Sequence, residues 1–383
     1  MATEKLYDQD AHQAQFQATV LSCRPGKHGY DVVLDRTCFY PEGGGQPGDT
    51  GVLSGIRVTD THEAGGEIVH YCEAPLAEGQ TVEGTIDYDR RFEFMQLHTG
   101  EHILSGVIHR RFGYENVGFH MGADFVTIDL SGMLTPEQVQ SVEAEANEWI
   151  WKNVPVEVSY PDPEALKTIP YRSKKELTGQ VRIVTIPGAD VCACCGTHTA
   201  ATGQVGQIKI LTSENYKGGV RLSVVCGGRA LREAQAMRSR QADIGALLSA
   251  KADQTAVAVH RVYDEYTALK FAHFGLCSQL FDALAAQLGP DETAIRTVPG
   301  LDPDGLHRLA ARLSEATTGL CAALTPSEKG TGYCIARSGG DVRALTKALN
   351  AALNGRGGGK PGICQGSCAA TPEQVEEFLK KAL

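Results

Sequence analysis

The chain has 383 residues, 42% hydrophobic and 21% charged, with a net charge of −10. That length predicts two or three domains with ordinary hydrophobic cores, and the acidic balance excludes nucleic-acid binding through bulk positive charge, leaving only local basic patches. The polar start, MATEKLYDQDAHQAQF, has no apolar leader core, and no apolar run approaches the roughly 20 residues that span a bilayer, so a cytoplasmic, non-membrane protein is expected.

Residues 1–90 read as strands. ATVLSCR, YDVVLDRT, GVLSGIRVTDT and EIVHYCEA alternate or run β-branched between Gly, Pro and Asp turns, which predicts a small N-terminal β-barrel carrying a GGGQ loop. The pattern changes at Asp89. In RRFEFMQLHTGEHILSGVIHRRFG the apolar residues Leu97, Leu104 and Ile108 take helical spacing. DFVTIDL (124–130) reads as a strand. LTPEQVQSVEAEANEWIWKN opens a helix with Thr135 as N-cap, Pro136 at the first position and Gln138 closing a capping box. Strands are expected at 154–159 and 180–186 and again in QVGQIKILT and GVRLSVVCG, so 91–232 is an α+β domain. Residues 233–288 read as a helical arm. Residues 289–383 read as a C-terminal α/β domain of β-α-β-β-α type ending on a helix with a Thr371–Gln374 capping box. The whole is expected to be α+β.

Of the twelve cysteines, most are scattered singly and read as reduced, buried thiols. VCACCGTHTA (191–200) is different: it places three cysteines and a histidine within seven residues. His98 and His102 stand four apart on the helix, so both imidazoles face one side. His109 lies about 10 Å further along the axis and cannot share an ion with them. Two helical histidines, a thiolate from Cys194 or Cys195, and His198 on a Gly-containing turn make a tetrahedral set suited to zinc. The two pairs lie more than 90 residues apart, so only the fold can join them.

HTGEH followed by CCGTH resembles the editing domain of alanyl-tRNA synthetases and of the free-standing alanyl-tRNA editing proteins, the AlaX family, whose pattern is HxxxH followed by C-G-G-T-H. The resemblance extends to FYPEGGGQPGDTG (39–51), DYDRRFEFMQLHTGEHIL (87–104), GGVRLSVVCGGRAL (218–231) and GRGGGKPGICQG (355–366). The last is similar to the glycine-rich signature of the DHH-associated domain of long AlaX forms. The resemblance implies one Zn2+ per chain on His98, His102, Cys194 and His198, with Cys195 where the family has glycine. It implies hydrolysis of tRNA(Ala) mischarged with serine or glycine. Binding alone discriminates small side chains poorly, which is the chemical need for such a second site.

Within that expectation Glu101 is a candidate base by proximity, and Gln46 a group that positions water or the tRNA end. Gly44, Gly45, Thr127 and Thr197 are substrate-binding candidates, Thr127 as partner of a serine hydroxyl. Arg221, Gly358, Gly359 and Lys360 are candidate tRNA contacts. Arg172, Lys174, Lys175 and Arg182 form a further basic patch. A homodimer through the arm or the C-terminal domain is expected. No ATP-binding signature is legible, which points to an editor acting in trans. The alternatives are a threonyl-type aminoacyl-tRNA deacylase and a non-catalytic zinc protein that binds tRNA.

Overall fold

The computed structural model describes residues 3–27, 29–173 and 179–382. It forms two compact units, Met1–Asp243 and Ile244–Leu383.

In the first unit, six antiparallel strands pair in the order Gln15–Gly26, Gly29–Leu34, Glu67–Cys72, Ile56–Ala64, Gly51–Leu53 and Thr81–Ile86, and the last also pairs with the first. Their alternation turns Phe16, Ala18, Val20, Val32, Leu34, Val58 and Val82 inward around Phe39. The expected fold class needs correcting here. The strands do not close on a core of their own as a free-standing barrel. Arg91, from the helix that follows, is wholly buried among them. Its Nε donates to Asp49 at 2.8 Å, and its two Nη atoms donate to the carbonyls of Ala11 (3.0 Å) and Cys38 (2.6 Å). A buried guanidinium is tolerated only with such partners. Strands and helix are therefore one structure within the unit.

That helix, Tyr88–Phe112, stops at Gly113, whose φ of 69° suits the left-handed cap. From Leu97 to Ile108 every residue is buried. The helix is enclosed on all sides, which puts its polar residues inside the protein. A four-stranded antiparallel sheet packs on it, in the order Ile208–Tyr216, Gly219–Cys226, Val126–Leu130, Asn116–Met121. The helix Pro136–Lys152 lies alongside, capped by Thr135 and Gln138 as expected. A smaller sheet of Glu157–Ser159, Ile183–Ile186 and Asp190–Ala193 carries the chain into the cysteine turn.

The second unit holds the 31-residue helix Thr255–Ala285 and a five-stranded sheet. The sheet order is Ala294–Thr297, Cys321–Ser327, Gly330–Ala336, Ile363–Cys368, Arg356–Lys360. Only the first pair is parallel. The expected α/β domain is therefore corrected to α+β with a mainly antiparallel sheet. The helix Pro303–Ala316 packs Leu306, Leu309 and Leu313 on one face of the sheet. The helices Arg343–Ala352 and Pro372–Lys381 pack Leu349, Val375 and Leu379 on the other.

Candidate metal centre

The fold brings together four side chains from two distant stretches. One ligand atom each from His98, His102, Cys194 and His198 lies within 4.8 Å of the others. The three histidines are buried, and His98 Nε2 stands 3.4 Å from Cys194 Sγ. The choice between the neighbouring cysteines is decided by geometry. Cys194 turns into the cluster, whereas Cys195 is exposed.

Each imidazole has its Nδ1 occupied by the protein. His98 Nδ1 meets Gln46 Oε1 at 3.0 Å, His102 Nδ1 meets Asp190 Oδ2 at 2.9 Å, and His198 Nδ1 meets Thr99 Oγ1 at 3.4 Å. Gln46 Oε1 also accepts from the Thr197 N–H at 3.2 Å, and Gln46 Nε2 donates to Thr197 Oγ1 at 2.8 Å. Those two bonds fix which way the amide points. Its oxygen and the Asp190 carboxylate can only accept, so His98 and His102 carry their protons on Nδ1 and offer Nε2 lone pairs. His198 Nε2 is buried with no hydrogen-bond partner. A buried polar nitrogen without a partner is costly, and a metal ion on Nε2 would satisfy it. The donor set, three imidazoles and a thiol, fits a borderline-soft ion such as zinc.

Electrostatics prepare the same atoms. Burial pushes the Cys194 thiol up, but the His98 charge and hydrogen bonds from His102 and His198 outweigh it and hold it well below the usual thiol range. Burial, together with the His98 charge, lowers His198 to about 3, so its ring is neutral at ordinary pH. Burial pulls His102 down, yet the Asp190 hydrogen bond and the Cys194 sulfur raise it well above the ordinary imidazole value. Asp190 is itself fixed by Arg172, whose Nε and Nη2 donate to its two oxygens at 2.8 Å each. Partners of this kind orient a ligand ring and raise its basicity.

A cavity of about 540 Å³ opens beside the cluster, lined by Gly45, His98, His102, Phe119, Arg182 and Cys194 among others. It has the size of a small-molecule site. Two glycines make the geometry possible. A Cβ on Gly45 would stand 2.6 Å from the Phe119 carbonyl oxygen, and one on Gly196 would stand 2.1 Å from His98 Cε1. Gly45 has a φ of 85°, and its carbonyl accepts from Met121 N at 3.0 Å. Phe119 stacks on the His98 ring at 5.1 Å.

The other sequence candidates fall in different places. Gly44 and Gly45 line the cavity. Gln46 is wholly buried and does not line it, so the expected role of positioning water is corrected to positioning His98 and the cysteine turn. Thr197 is buried and bonded to Gln46, not turned to the cavity. Glu101 also lies off the cavity. It accepts from Ser105 Oγ at 2.7 Å and from Asn116 Nδ2, with Oε2 3.9 Å from His102 Nε2, which suits a supporting group better than a base. Thr127 is corrected outright. It is cross-strand to His120, while its neighbour Ile128 is cross-strand to Phe119. Thr127 therefore faces away from the side of the sheet that carries Phe119 and His98. Arg221 is paired with Asp129 at 2.6 and 2.7 Å and lies over the Tyr216 ring. Gly358, Gly359 and Lys360 are exposed on the edge strand of the second unit. In the expected basic patch, Arg172 and Arg182 are both engaged with protein partners, and Lys174 and Lys175 lie outside the described residues. Sequence reasoning missed Asp190, Arg172 and Thr99.

Fold and site define the class: a protein built on a buried three-histidine, one-cysteine centre, its rings held from behind, opening on a cavity of ligand size. Comparison with known proteins gives the family. Residues 5–90 match the family described as tRNA synthetases class II (A). Residues 181–223 match the threonyl and alanyl tRNA synthetase second additional domain, and 291–383 the DHHA1 domain. The chain is 37% identical over 239 residues to the alanyl-tRNA editing protein AlaX-L of Pyrococcus horikoshii, covering 60% of this chain and 59% of that protein. It is 31% identical over 309 residues to the alanyl-tRNA editing protein Aarsd1 of Bos taurus, covering 76% of this chain and 70% of that protein. An alanine–tRNA ligase of Pyrococcus abyssi is 36% identical over 279 residues, 69% of this chain but 30% of the ligase. The chain belongs to the AlaX/Aarsd1 family of alanyl-tRNA editing proteins.

Proposed function

We propose that this protein is a trans-acting, zinc-dependent hydrolase that deacylates tRNA(Ala) mischarged with serine or glycine, and that it works in the cytoplasm. The observation that carries the reading is the His98, His102, Cys194 and His198 cluster at the wall of a ligand-sized cavity, in a chain whose relatives are named as alanyl-tRNA editing proteins. His98, His102, Cys194 and His198 would hold one zinc ion, which when bound supplies positive charge beside a reacting carbonyl. The chain's own groups do the rest. Gln46 and Asp190 hold two of the imidazoles from behind. Gly44 and Gly45 bring backbone, free of side chains, to the cavity where the aminoacyl end would lie. Arg182 donates to the carbonyls of Cys194 and Gly196 at 2.8 and 3.0 Å and fixes the turn. Lys360, with Gly358 and Gly359 beside it, supplies a basic edge for the tRNA backbone.

The test is deacylation of Ser-tRNA(Ala), Gly-tRNA(Ala) and Ala-tRNA(Ala) by the wild type and by Cys194→Ala. Rapid loss of serine or glycine with alanine spared, abolished in the variant together with its bound zinc, is the expected result. A zinc-loaded wild type that hydrolyses none of the esters overturns the reading.

A further inference from the structure

The helix Thr255–Ala285 carries a row of apolar side chains that nothing in its own unit covers. Val259, Val262, Tyr266, Leu269, Leu276 and Leu280 are all exposed, Leu269 by 68% and Leu276 by 65%. With His273 they follow one another at steps of three and four: 259, 262, 266, 269, 273, 276, 280. That is a heptad repeat held for three turns of the pattern, with 259, 266, 273 and 280 at a and 262, 269 and 276 at d. The helix does pack inside its unit, but through a different stripe. Cys277, Phe281 and Ala285 are buried with the Pro303–Ala316 helix. The seam is therefore left over after the internal packing is complete.

We propose that this seam is a dimer interface with a second copy of the chain, formed as a parallel, in-register two-stranded coiled coil. The inference is independent of the editing reading. Three features select this occupant. A seam spaced at 3.5 residues fits another helix of the same spacing, and an identical helix supplies it. Leucine at d in Leu269 and Leu276, with β-branched Val259 at a, is the combination that favours two parallel strands. The flanking charges agree. Glu265 falls at g and Lys270 at the following e, the two positions that meet across a parallel dimer. Two-fold symmetry then forms the Glu265–Lys270 pair twice. In an antiparallel pairing g faces g and e faces e, and Glu265 would meet Ala272 while Lys270 met Tyr263. His273, polar at an a position, penalises shifted registers by facing leucine or valine there, and in register it faces its own copy.

The experiment is the mass of the full-length protein by sedimentation equilibrium across a concentration series, with helix content followed by circular dichroism. A dimer is expected. Leu269→Glu and Leu276→Glu should each raise its dissociation constant at least about tenfold with helix content and the second unit's folding retained, because each places two charges in the seam. Glu265→Lys and Lys270→Glu should each weaken the dimer, and an equimolar mixture of the two variants should form heterodimers in preference to either homodimer. A monomeric wild type, or a dimer indifferent to both leucine substitutions, overturns the interface. A dimer broken by the leucine substitutions, with no heterodimer preference in the mixture, overturns the parallel register.

Discussion

Two stretches of this chain have nearly the same sequence and opposite fates. Gly43 to Gly48 reads GGGQPG and Gly357 to Gly362 reads GGGKPG. The first is folded into the protein, with Gly44 and Gly45 at φ of 61° and 85° and the next residue, Gln46, wholly buried. The second begins as an exposed edge strand, hydrogen-bonded along one side to Ile363–Cys368. The residue after the third glycine separates them. Glutamine can be buried when its amide is satisfied on both ends, as Thr197 and His98 satisfy Gln46. Lysine keeps its ammonium in water and stays on the surface. Glycine supplies access, and the polar neighbour decides what is accessed.

The comparison can be broken at its glycines. Gly45→Ala should cost about 3 kcal/mol or more, since the new Cβ meets backbone and the backbone torsion is left-handed. Gly358→Ala meets nothing within 4 Å and should stay within about 0.5 kcal/mol. Urea unfolding of the two variants side by side measures both, and equal losses would mean the first loop is not held as described.

A second difference lies in acid. His70, in the same strand assembly as the first run, is buried between Thr37 Oγ1 and the Val32 carbonyl, and burial lowers it to about 4. The neutral ring is the folded form, so its contribution is full above pH 6.5 and is lost as pH falls from 6.5 to 4. The loss is on the order of 3 kcal/mol. His70→Gln should flatten the stability of the first unit over that window, and an unchanged pH profile would remove His70 from the account.

Gln46→Ala leaves His98 Nδ1 and the Thr197 N–H without their acceptor. Metal affinity and deacylation should fall by roughly 10–100-fold while the fold persists. Gln46→Glu, which keeps an acceptor, should recover part of the loss, and full activity in the alanine variant would show that His98 needs no support. The smallest effect belongs to the second run. Lys360→Gln should weaken tRNA binding a few-fold, with the salt dependence reduced by about one charge and kcat unchanged. Binding titrations at several salt concentrations read this directly.

The contrast also explains what was legible in the sequence. The four cluster residues could be read because histidine and cysteine are uncommon and their chemistry demands company. The helix spacing and capping boxes were local and survived folding. Asp190 and Arg172 carried no such mark. An aspartate 88 residues after His102 becomes its partner only when the Asp190–Ala193 strand lies against the histidine helix. Glu101 was open to misreading because the helix has no exposed side from Leu97 to Ile108. Thr127 had a usable signal: it sits between Val126 and Ile128, and strand alternation already places it on the other face. The 356–360 strand was hidden because three glycines argue for a turn, and the edge pairing that overrides them is a tertiary event.

The bonds at the backs of the three imidazoles have a consequence for how the protein matures. Small zinc domains gain their fold from the ion itself. Here the rings are oriented by an amide, a carboxylate and a hydroxyl that the folded chain provides. The ion is thereby removed from the folding nucleus and becomes a late arrival at a finished socket. Newly made protein can then accumulate as a stable, silent reserve, and the supply of metal in its surroundings meters how much of that reserve is switched on.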